Sequence, residues 1–202
     1  MNGIVICLPG RGGNGPEWAA SYRKQIVGDL PLGPFDEAFN DIRFCGLNAE
    51  GGIWYPQPGG PGKSQKAIKG IPKSIKLIED WVDKLEEQYR IPKNKMILTG
   101  FSAGAVMAIQ TSLSEKYAGC VVHSGAILEP DELPPCSNNT PYLLTHSQDD
   151  KVFTFQNRYL PMCLAMRKRD YIVSTSEQSF GGHGVTVRDA EVARKFILKV
   201  LS

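Results

Sequence analysis

Ser102 stands in Gly100-Phe101-Ser102-Ala103-Gly104, directly after the apolar run Lys95 to Thr99 and directly before a helix-patterned segment. In a sharp strand-to-helix turn a serine is held in a strained, outward-facing conformation, and the residues two before and two after it must be small enough for strand and helix to approach. Gly100 and Gly104 meet that condition, so Ser102 is the expected nucleophile. A hydroxyl is a poor nucleophile at neutral pH and needs a histidine as general base, with a carboxylate to orient and charge-stabilise the imidazole. Three histidines are available. His183 lies in Gly181-Gly182-His183-Gly184, after the last strand-like run and before the terminal helix, where a parallel sheet gathers its ligand sites. It is the expected base. His146 follows the run Pro141 to Thr145, and Asp149 and Asp150 come next at the same edge, so one of these two is the expected acid. His123, which ends the run from Cys120, and His146 are both read as hydrogen-bonded structure.

These residues can meet only if the chain brings their loops to one edge. Strand-length apolar runs occur at Ile4 to Leu8, Ile42 to Cys45, Met96 to Thr99, Cys120 to His123, Tyr142 to Thr145 and Tyr171 to Thr175, with helical or loop segments between them. That alternation predicts an α/β fold with a mostly parallel central sheet flanked by helices. Ile68, Ile71, Ile75, Ile78, Val82, Leu85 and Tyr89 form a stripe of helical spacing, with Pro72 expected in the first turn of that helix. Thr186 and Asp189 form a capping pair for a final helix whose face is Val192, Ala193, Phe196, Ile197 and Val200. Gly51 to Gly62 reads as a long loop within a single domain spanning residues 1–202.

Composition narrows the function classes. Of 202 residues, 42% are apolar and 22% charged, and 23 basic against 21 acidic residues leave no basic stripe for nucleic acid or anionic membrane. Small, near-neutral substrates fit better. Arg11-Gly12-Gly13 occurs once, and Gly62-Lys63-Ser64 lacks the earlier glycine and leading strand of a phosphate-binding loop. The five cysteines, Cys7, Cys45, Cys120, Cys136 and Cys163, are scattered, and no Cys-x-x-Cys or His-Glu-x-x-His spacing occurs, so reduced cysteines and no metal are expected. Neither a signal peptide nor an apolar run of membrane-spanning length is apparent, which predicts a cytoplasmic protein without stable membrane insertion, monomeric or homodimeric.

Nearly the whole chain resembles the phospholipase/carboxylesterase family of α/β-hydrolases, which includes carboxylesterases and acyl-protein thioesterases. The resemblance is carried by Leu8-Pro9-Gly10-Arg11-Gly12, Trp54-Tyr55, Ile91-Pro92 leading to Gly100–Gly104, Ser124-Gly125, His146 to Val152, and Gly182-His183-Gly184. It implies an α/β-hydrolase fold in its minimal version without a large cap domain. It assigns the acid to Asp150, four residues after His146, and leaves Asp149 as a solvated loop residue. The implied oxyanion donors are the backbone N–H groups of Arg11 and Ala103. Hydrolysis of a carboxylic ester of short to medium acyl length through an acyl-enzyme on Ser102 follows, without a cofactor and with an acyl-protein thioester or a lysophospholipid as the alternative substrate. Trp54, Tyr55 and Phe153 are expected on loops that reach this edge, where each either offers the acyl chain an apolar surface or packs beneath its loop. Pro9, Ser147 and Lys151 stand where the family commonly has His, Gly and Pro, which keeps a non-catalytic binding module on a hydrolase fold as the rival reading.

Overall fold

Ile4, Ile6 and Leu8 belong to one apolar cluster and Val5 and Cys7 to another, so alternate residues of the first strand face opposite sides of a sheet that is covered on both. The computed structural model describes residues 2–28, 37–56 and 65–202. Six strands, β1 (Gly3–Leu8), β2 (Ile42–Gly46), β3 (Met96–Phe101), β4 (Gly119–His123), β5 (Pro141–Ser147) and β6 (Ile172–Gln178), are ordered β2-β1-β3-β4-β5-β6. Every neighbouring pair is parallel. Helices α1 (Gly15–Val27) and α5 (Val187–Leu201) cover the Val5 face; α2 (Gln65–Tyr89), α3 (Ala103–Ser112) and α4 (Leu160–Lys168) cover the other.

Strand order reverses between β1 and β3, and the register Leu8↔Gly100 and Phe101↔His123 brings the C-terminal ends of β1, β3 and β4 level. The crevice at such a reversal is where open α/β sheets hold their ligands. β6 extends past the expected Thr175 to Gln178, opposite Ser147. Its last residues are polar because it is an edge strand with one flank uncovered, so backbone pairing continues after the apolar signal has stopped.

In α2, Ile71, Ile78, Val82 and Leu85 are buried as the stripe predicts, while the side chain of Ile68 lies outside the described residues. Pro72 is not in the first turn. The helix begins at Gln65, which places Pro72 about two turns in, where the ring removes a helical hydrogen bond at a cost of roughly 3 kcal/mol. Gly70 packs closely on Tyr55 and Pro56, a tertiary contact that favours helix before the proline. Of the expected loop Gly51 to Gly62, Glu50–Gly52 is a short 3-10 turn with positive φ at Gly51 (59°) and Gly52 (74°), and residues 57–62 lie outside the described residues. The Thr186/Asp189 capping box is present in full. All five cysteines are free, and burial pushes the Cys163 and Cys120 thiols up to about 11 and about 12. Among the described residues no helix is long and apolar enough to cross a membrane.

Candidate active site

The strand-to-helix turn forces Ser102 into φ 55°, ψ −119°, a left-handed conformation rare for a residue with a side chain. Its N–H donates to the His123 carbonyl oxygen at 3.1 Å, which fixes the turn against β4. A Cβ at Gly100 would collide with the backbone of Gly104, and one at Gly104 with the carbonyl oxygens of Leu8 and Pro9. Only glycine fits at either place. From this turn the Ser102 hydroxyl reaches His183 Nε2 at 2.8 Å, and His183 Nδ1 lies 2.8 Å from Asp150 Oδ2. With Nδ1–H donating to the carboxylate, Nε2 is left as the acceptor for the Ser102 proton.

Asp150 is buried, and its other oxygen accepts the N–H groups of Val152 (2.7 Å) and Phe153 (3.1 Å), so the carboxylate is fixed by its own turn. Phe101 and Phe153 flank the His183 ring at centroid distances of 5.0 and 6.0 Å. Asp149 does not reach the imidazole. It is a half-buried turn residue whose Oδ1 accepts the Gly182 N–H at 2.8 Å; the sequence shows two adjacent carboxylates but not that a turn aims both at the loop carrying His183.

His146 and His123 are structural in their contacts. His146 Nε2–H donates to the Phe153 carbonyl oxygen at 2.7 Å, lies 3.4 Å from Asp150 Oδ2, and its ring stacks on Tyr159. Burial lowers its pKa. His123 is buried between the Tyr22 hydroxyl (2.7 Å) and the Thr145 hydroxyl (2.8 Å), and burial pushes its pKa down to about 4.

The loop after β1 runs beside Ser102, with Gly10 so near that a Cβ there would lie 3.5 Å from the Ser102 Cβ. Two bonds brace it on either side of Arg11: Trp54 Nε1–H donates to the Pro9 carbonyl oxygen at 2.8 Å, and the Gly12 N–H donates to that of Gly52 at 2.8 Å. Of the two roles open to Trp54, Tyr55 and Phe153, packing beneath their loops is the one their burial fits. Trp54, Tyr55 and Phe153 are all buried, because Trp54 is tied to Pro9 and, through its carbonyl, to Ser74, while Phe153 sits behind His183. Among the described residues, large apolar side chains exposed on the loops at this edge include Ile53, Val152 and Phe180. A cavity of about 410 Å³ lined by Arg23, Asp41, Arg43 and Phe44 opens at the start of β2, the edge opposite Ser102, and has no part in this chemistry.

A doubly covered parallel sheet with a Ser-His-Asp row at its C-terminal edge defines an α/β hydrolase. The family model described as phospholipase/carboxylesterase matches residues 41–200, and the chain belongs to that family. It is 27% identical over 168 residues to acyl-protein thioesterase 1 of Candida albicans, covering 75% of this chain and 71% of that one. With the acyl-protein thioesterase 1 homolog 2 of Dictyostelium discoideum it shares 32% identity over 97 residues, spanning 46% of this chain and 43% of that protein. The crystal structure of esterase PE8 superposes with a TM-score of 0.84 at 21% identity, covering 99% of this chain and 93% of that one, a likeness of fold.

Proposed function

We propose that the chain is a serine hydrolase of carboxylic esters with short to medium acyl groups. Ser102 is the nucleophile, His183 its general base, and Asp150 the carboxylate that holds the His183 tautomer. The supporting observation is the continuous hydrogen-bonded row from Ser102 Oγ through both His183 nitrogens to a buried Asp150. As the Ser102 oxygen attacks the carbonyl carbon, its proton passes to His183 Nε2 and negative charge gathers on the carbonyl oxygen. The Ala103 N–H, at the start of α3, and the Arg11 N–H, in the braced loop after β1, are the proposed donors to that oxygen. Imidazolium then protonates the departing alcohol, leaving an acyl-enzyme, and water repeats the sequence to release acid and free serine. With Trp54, Tyr55 and Phe153 buried, Ile53, Val152 and Phe180 are the side chains against which acyl-length preference is to be tested.

A thioester substrate is the second reading, favoured by relatives named as acyl-protein thioesterases. It uses the same steps with a thiol as leaving group. A p-nitrophenyl ester series and an acylated-cysteine peptide, compared at equal enzyme, separate the two. In both assays Ser102→Ala is expected to lose activity by roughly 10⁴-fold or more, and only the wild type should be labelled by a fluorophosphonate. Equal turnover by wild type and Ser102→Ala across both substrate types, with no labelling, leaves the binding-module reading standing.

A further inference from the structure

The loop between β6 and α5 that carries His183 contains Gly181, Gly182 and Gly184, with φ of 155° at Gly181 and 59° at Gly182. Glycine-rich backbone has the most conformational freedom to lose, yet a general base must stay within a fraction of an ångström of its partner. Two side chains from other loops supply the restraint. Asp149 Oδ1 accepts the N–H of Gly182, the residue before His183, at 2.8 Å. Ser124 Oγ–H donates at 3.0 Å to the carbonyl oxygen of Gly184, the residue after it.

We propose that Asp149 and Ser124 are positioning residues that clamp the chain on either side of His183 and so set the imidazole on Ser102, an inference that rests on the hydrolase reading above. Both clamps are themselves anchored. Ser124 directly follows β4, is held at φ 47°, and donates its own N–H to the Thr145 carbonyl oxygen at 3.0 Å. Asp149 precedes Asp150 in one turn, so that turn grips the side chain of His183 with one carboxylate and the backbone leading to it with the next. The loop's outer ends are tied separately, through Gln178 Nε2–H to the oxygens of Thr186 (2.9 Å) and Asp189 (3.1 Å). Between those ends Asp149 and Ser124 hold the backbone on either side of His183, while Asp150 holds the imidazole itself.

Steady-state kinetics on a p-nitrophenyl ester test this with Asp149→Ala, Asp149→Asn, Ser124→Ala and the Asp149→Ala/Ser124→Ala double variant, with thermal melting to confirm folding and Ser102→Ala as the control. Each alanine variant is expected to lower kcat about tenfold or more with KM within about twofold, because misplacing the base slows chemistry rather than binding. The double variant should lose less than the product of the single losses, since both bonds restrain one loop. Asp149→Asn keeps an acceptor oxygen and should recover kcat to within about threefold of wild type, a rescue that loss of a mere surface charge does not give. Folded alanine variants with kcat within twofold of wild type overturn the proposal, as does Asp149→Asn falling as far as Asp149→Ala. Should Asp149→Ala not fold, Ser124→Ala and Asp149→Asn decide by the same criteria. If Ser102→Ala turns over as fast as wild type, the hydrolase reading has failed and takes the clamp with it; if only Ser102→Ala is inactive, the clamp alone is wrong.

Discussion

Three histidines lie within one edge of the sheet, and what separates their properties is how each ring is paired. His183 keeps 18% of its side chain exposed and holds a serine on one nitrogen and a carboxylate on the other. His123 is sealed between two hydroxyls, and the cost of burying charge pushes its pKa from 6.5 down to about 4. The folded protein therefore holds His123 neutral where the unfolded chain already binds a proton. Stability from this site is complete above about pH 6.5 and is lost progressively as the pH falls toward 4. Burial displaces His146 in the same direction. The urea midpoint should be lower at pH 5 than at pH 7, and the His123 ring signals should keep neutral-imidazole shifts across that range. A His123 titration midpoint above pH 6 contradicts this. Chain order and loop position in the sequence single out His183, and family resemblance selects Asp150. The contacts of Asp149 with Gly182 and of Ser124 with Gly184 were hidden, because backbone acceptors and donors leave no trace in residue identity.

At the scale of elements, the Ser102 turn depends on β3 and α3 crossing close to the end of β1. Gly104 lies against the carbonyl oxygens of Leu8 and Pro9, so a methyl group there must push α3 off β1. Gly104→Ala is expected to destabilise the fold by roughly 3 kcal/mol or more and to lower turnover in whatever fraction still folds, measured by urea unfolding alongside ester kinetics. Wild-type stability and activity in that variant contradict the packing argument. The strands were legible because each is a short apolar run between breakers. The apolar pattern ends before the edge strand β6 does, because Ser176, Glu177 and Gln178 continue the backbone ladder with polar side chains. Pro72 misled for a related reason: a local rule placed it in a first turn, whereas the packing of Gly70 on Tyr55 and Pro56 accompanies helix before it. The sequence places Trp54, Tyr55 and Phe153 on loops at the right edge and leaves open whether each ring faces outward or braces its loop, because that is set by distant partners such as Pro9 and Ser74.

Over the whole molecule, both sheet faces are filled with apolar side chains while the polar machinery is confined to one edge. That separation lets loops at the edge vary without disturbing the core, and it places the main conformational tension of the site in one backbone pair. Ser102, at φ 55°, sits where a side chain is disfavoured by about 1–3 kcal/mol and where glycine is at ease. On the proposed function, selection for stability and selection for reactivity pull against each other at this position. Comparing Ser102→Ala with Ser102→Gly isolates the effect, since both lack the hydroxyl and differ only in a methyl group. The glycine variant should melt higher despite the greater freedom of its unfolded chain, and an equal or lower Tm contradicts stored tension at the turn. On that reading, a lineage released from the chemistry would drift toward glycine here, gaining a sturdier and silent protein, and the serine in this chain marks a stability optimum declined.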